Sequence, residues 1–80
     1  MRTLGGATMA EKMQPGTKWR LDFGEGNPNN KLIHVIAIVD EQEIVYKTWW
    51  KHKQVWHYAV ESAYTFWLCY IDGALKQVKG

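Results

Sequence analysis

The stretch SAYTFWLCYIDG, residues 62–73, decides how the chain is read. Phe66, Leu68 and Tyr70 alternate with Trp67, Cys69 and Ile71. With this aromatic and β-branched content, the spacing predicts a strand over 64–71. Ser62-Ala63 permits a chain reversal before it, and Asp72-Gly73 after it is a hairpin signal. ALKQV, residues 74–78, then returns as a last short strand.

Upstream, the same period of two recurs. In QVWHYAVES (54–62), Trp56, Tyr58 and Val60 alternate with Val55, His57, Ala59 and Glu61. EIVYKTWW (43–50) has high β propensity, and Lys51-His52-Lys53 turns the chain between the two. KLIHVIAIVD (31–40) is apolar on both faces apart from His34, as a central strand would be, and Asp40-Glu41-Gln42 closes a short hairpin. TKWRLDF (17–23) sets Trp19, Leu21 and Phe23 against Lys18, Arg20 and Asp22. GEGNPNN (24–30) is an exposed loop that lacks the Lys-Ser/Thr ending of a phosphate-cradling loop.

Pro15-Gly16 marks the start of the folded unit. Residues 1–14, with Gly5-Gly6 and no sustained period, read as a flexible N-terminal arm, or at most one helical turn at 10–13. Residues 15–80 read as a single small β domain. The predicted fold is all-β: a five- to six-stranded antiparallel meander curled into an SH3-like barrel, since closure removes vulnerable edges.

At 80 residues, a single core buries only about 60 to 65% of the surface of the unfolded chain. The five tryptophans, four tyrosines and two phenylalanines are how so short a chain builds a core. A formal net charge of +2 falls short of the dense cationic content that makes nucleic acid the default partner. One cysteine excludes an internal disulfide framework and fits a reducing compartment, so a cytoplasmic location is expected. The N-terminus lacks the apolar region of a signal peptide, and no apolar run approaches the ~20 residues of a membrane span.

The richest chemistry lies in KTWWKHKQVWHY, residues 47–58. Trp49 and Trp50 are neighbours, so in a straight strand they point to opposite faces and one indole reaches the surface beside the lysines. An exposed indole ringed by cations suits an interface hot spot or a base-stacking platform, although an indole lying over a lysine stem is also ordinary surface packing. The candidate binding residues are Lys47, Trp49, Trp50, Lys51, His52, Lys53, Trp56 and Tyr58. His34, His52, His57 and Cys69 show no metal-ligand spacing, so no metal or cofactor is expected. Cys69 lies mid-strand, where free cysteine behaves as a small buried hydrophobe rather than a nucleophile. Asp40, Glu41 and Glu43 read as a solvated hairpin tip. No catalytic constellation emerges, and a non-enzymatic binding protein is expected.

The segment HVIAIVDEQEIVYKTWWKHKQVWHYAVE, residues 34–61, resembles small proteins scattered through bacteriophage and prophage genomes. That resemblance implies a phage-borne accessory protein acting in the host bacterial cytoplasm. Such proteins often block a host protein complex, as anti-CRISPR and other anti-defence inhibitors do. The weak charge argues against mimicry of DNA. The expected partner is a host protein complex such as a defence nuclease, with an acidic or nucleic-acid-loaded surface towards which the lysines steer. The alternatives are direct nucleic-acid binding by a small barrel, and a virion or assembly component that self-associates through a strand edge.

Overall fold

The computed structural model describes residues 4–79. Helix α1 (Leu4–Lys12) precedes a meander of four strands, β1 (Lys18–Leu21), β2 (Lys31–Val39), β3 (Glu43–Trp50) and β4 (Val55–Ser62). Helix α2 (Ala63–Ile71) and strand β5 (Leu75–Val78) complete the chain. The sheet has five strands in the order β4-β3-β2-β1-β5, with every pairing antiparallel.

Alternation along the strands separates two faces. Trp19 pairs with Ile33, Leu21 with Leu75 and Val35 with Tyr46, and all six are buried on one side. Both helices cover that side: Met9 and Ala10 from α1, Met13 directly after it, and Ala63 and Phe66 from α2 join one hydrophobic cluster with these strand residues. A register shift in β2 between Val35 and Ala37 keeps Ile38 packed against the cluster. Two edge-to-face contacts tie the layers together, Tyr46 to Phe66 at 5.7 Å and Trp19 to Tyr70 at 6.3 Å.

The expected strand over 64–71 is instead a helix, and local chemistry explains why. Ser62 is the N-cap, in extended conformation, with its hydroxyl accepting from the Tyr64 N–H at 3.1 Å. At the other end, the Ala74 N–H donates to the Cys69 carbonyl and the Gly73 N–H to the Tyr70 carbonyl, with Gly73 at φ +86°. That pair of bonds is a Schellman cap, which takes glycine in the left-handed region. Asp72-Gly73 therefore ends a helix rather than turning a hairpin. Ala63, Phe66, Trp67 and Tyr70, spaced 0, 3, 4 and 7, face inward.

The expected barrel is not formed. With 64–71 helical, β4 and β5 stand at opposite edges of an open sheet, and α1 and α2 fill the space a closing strand would have covered. Phe23 lies beyond the end of β1 and is exposed.

The flexible-arm reading is also corrected over residues 4–14; residues 1–3 lie outside the described chain. Met9 and Met13 are fully buried beneath the sheet. The Gln14 side chain donates to the carbonyls of Ala10 and Glu11, satisfying acceptors that a helix end leaves open. Gly5 allows close approach: a Cβ there would come within 2.8 Å of Cγ of Trp67, with other atoms of the indole closer still. In an ordinary helix, Gly→Ala gains about 1 kcal/mol. Here overpacking reverses the sign, and Gly5→Ala is expected to lose about 1 to 2 kcal/mol in chemical denaturation.

Candidate functional site: the open face of the sheet

The face away from the helices carries no covering element among the described residues. Register places its side chains in rows. Val78, Lys18, His34, Lys47 and Tyr58 form one row across all five strands. Lys76, Arg20 and Leu32 lie in the next row, and Ala37, Val45 and Val60 form an apolar row on the other side. Trp49 and Trp56 are cross-strand partners, with ring centroids 5.2 Å apart and planes at 70°.

Trp56 is the hub. His34 meets it edge-on at 5.0 Å, and Nζ of Lys47 stands 4.3 Å from its ring centroid, a cation–π contact. Trp49, Trp56 and Tyr58 are 44, 38 and 61% exposed. The face is thus an aromatic cluster with cations along one flank and valines along the other.

Of the eight residues singled out by sequence, Lys47, Trp49, Trp56 and Tyr58 come together here. Trp50 points to the helix side but lies outside the hydrophobic cluster, half-buried, and stacks on His57 at 4.3 Å and 9°. His52 stacks on its ring at 6.1 Å, and Nζ of Lys53 lies 5.2 Å from it. Lys51 and His52 occupy the β3–β4 turn, at the rim of a cleft that also includes Trp49 and Trp50. The sequence reading missed Lys18, Arg20, His34 and Lys76. Their signal was the outward half of the same alternation that placed Trp19 and Leu21 in the core.

His34 has a pKa lowered below its ordinary value, first by burial and then by the Lys18 and Lys47 ammonium groups on either side. The folded protein thus favours the neutral imidazole. Between the lowered value and 6.5, the unfolded chain holds more protons, so stability rises with pH through that window and is lost as pH falls through it. On acidification from about pH 7.5 to 5.5, the Tm of the wild type is expected to fall further than that of His34→Gln.

Cys69 lies on α2, not on a strand; burial, then the Asp72 and Glu61 carboxylates, push its thiol pKa up, which disfavours the nucleophilic thiolate. Among the described residues, no three His, Cys, Asp or Glu side chains converge as a metal site would require, and no helix is long and apolar enough to cross a membrane. No protein-family model, curated protein or solved structure matches the chain.

Proposed function

We propose that this is a non-enzymatic binding module that docks a partner protein through the open face of its sheet, with Trp49 and Trp56 as anchors. The observation that carries the reading is the exposed edge-to-face tryptophan pair next along the strands to the cationic row of Lys18, His34 and Lys47, with the apolar row of Ala37, Val45 and Val60 beyond it. Hot spots combine such aromatic anchors with surroundings that exclude water, and the Lys18, Arg20, Lys47 and Lys76 charges favour a partner with acidic groups around an apolar centre. The resemblance of residues 34–61 to small phage proteins supports a narrower form: an accessory protein that occludes a host complex such as a defence nuclease.

A second reading, direct binding of single-stranded nucleic acid, is favoured by the cationic row beside the aromatics. It is weakened by Lys47, whose ammonium already covers a face of the Trp56 ring where a base would stack. Affinity capture from bacterial lysate, with and without nuclease treatment, separates the two. Capture of a protein that survives nuclease and weakens only modestly with salt supports the first reading. A retained species lost to nuclease, with log affinity falling steeply against log salt, supports the second.

A further inference from the structure

The geometry points to a homodimer in which the β4 edges of two copies pair antiparallel, joining two five-stranded sheets into one. β4 is an edge strand of eight residues, VWHYAVES, and among the described residues nothing pairs with its outer side. Natural edges are blunted by proline, lysine, bulges or brevity. β4 has no proline or lysine and runs against β3 without a register shift for its whole length.

The phase of the ladder fixes which groups are free. The Ala63 N–H donates to the Gln42 carbonyl at 2.7 Å, so the alternate residues Glu61, Ala59 and His57 turn their main chain towards β3. Trp56, Tyr58, Val60 and Ser62 turn theirs outward. One outward donor already has a substitute partner, the Ser62 N–H, which donates to Oε1 of Glu61 at 3.0 Å.

Two copies can bond only with these four residues opposite one another, about a two-fold axis through a residue position. An axis at Ala59 sets Tyr58 opposite Val60 of the second copy and His57 opposite its Glu61, each pair occurring twice. An axis at Tyr58 sets His57 against Ala59 and Glu61 against Val55, with neither polar side chain facing a partner. The Ala59 axis alone sets all four outward residues opposite one another, and a hydrogen-bonding imidazole–carboxylate pair and an aromatic–β-branched pair stabilise directly facing positions, so that axis is selected. In that register, the Ser62 N–H passes from Glu61 to the Trp56 carbonyl of the second copy, which frees the Glu61 carboxylate to meet His57. The two open faces become one, with Tyr58 and Val60 of both copies beside the axis and the two tryptophan pairs on opposite sides of it.

Sedimentation equilibrium on the full chain tests this. The wild type is expected to show twice the 9.3 kDa chain mass at high concentration. Val60→Pro removes an outward N–H without touching the β3 ladder, and should raise the dimer dissociation constant at least about tenfold, with unchanged far-UV circular dichroism. Glu61→Lys should weaken the dimer similarly, and adding His57→Glu should restore it, a rescue that does not depend on tolerance of proline. A monomer at every concentration up to about 1 mM overturns the proposal. So does a dimer indifferent to both Val60→Pro and Glu61→Lys, and failure of the double charge swap to rescue overturns the Ala59 register.

Discussion

Alanine at both Trp49 and Trp56 is expected to weaken partner capture about a thousandfold or more while leaving the domain folded. Hot-spot tryptophans cost at least about 2 kcal/mol each on truncation, and two at the centre of one patch amount to about 4 kcal/mol or more. The stability cost is smaller because neither ring belongs to the hydrophobic cluster beneath the sheet. What is lost within the monomer is one edge-to-face pair, worth about 0.5 to 1.5 kcal/mol, some half-buried area and the Lys47 contact. Trp50→Ala is the control, since that indole stacks on His57 on the other side of the sheet and should leave capture unchanged. Binding by calorimetry or immobilised capture, read beside a thermal melt, checks both. Loss of the fold in the double variant would make the pair structural and end the anchor assignment.

That Trp49 and Trp50 face apart was legible because a strand permits no other arrangement for neighbours. What the pattern could not say was how far the core extends beneath β3: Ile44 and Tyr46 join the cluster with the helix residues, whereas Trp50 lies outside it. β1 was legible because burial on one side stamps a period of two on Trp19 and Leu21; β2 was legible as an apolar run, but it reads as covered on both faces, whereas its Leu32, His34 and Ala37 side lies on the open face. α2 was hidden by composition. AYTFWLCYI is apolar at nearly every position, so a period of two and a spacing of 0, 3, 4 and 7 both fit, and β propensity then favoured the wrong one. Its caps were visible as Ser62 and Asp72-Gly73, but the same letters also mark turns. The barrel followed from that single misreading, because a sixth strand would have been needed near the β4 edge. The open face, and with it the contribution of Lys18, Arg20 and Lys76 to the site, became apparent only once that strand was a helix.

α1 yields the sharpest contrast between pattern and fold. LGGATMAEK has two glycines and no strong amphipathic stripe, so by propensity an isolated peptide would not hold a helix. Its helicity comes from the contacts it makes: Met9 and Met13 fully buried, Ala10 nearly so, and the glycine-lined approach to Trp67. If residues 1–14 were a dispensable arm, deleting them would leave stability unchanged. The structure predicts the opposite. Burying Met and then truncating it to Ala costs about 2 to 5 kcal/mol per site, so Met9→Ala with Met13→Ala should lose about 4 to 10 kcal/mol. A domain of this length has a total stability of about 4 to 12 kcal/mol. The double variant is therefore expected to be largely unfolded at 37 °C, and deletion of residues 1–14 to leave no cooperative transition in urea. The deletion would expose Trp19 and Phe66, so tryptophan fluorescence and dye binding should change together with the circular dichroism. A truncated chain that melted cooperatively near the wild-type Tm would show that α2 and the sheet bury enough apolar surface alone, and that Met9 and Met13 fill space the fold does not need.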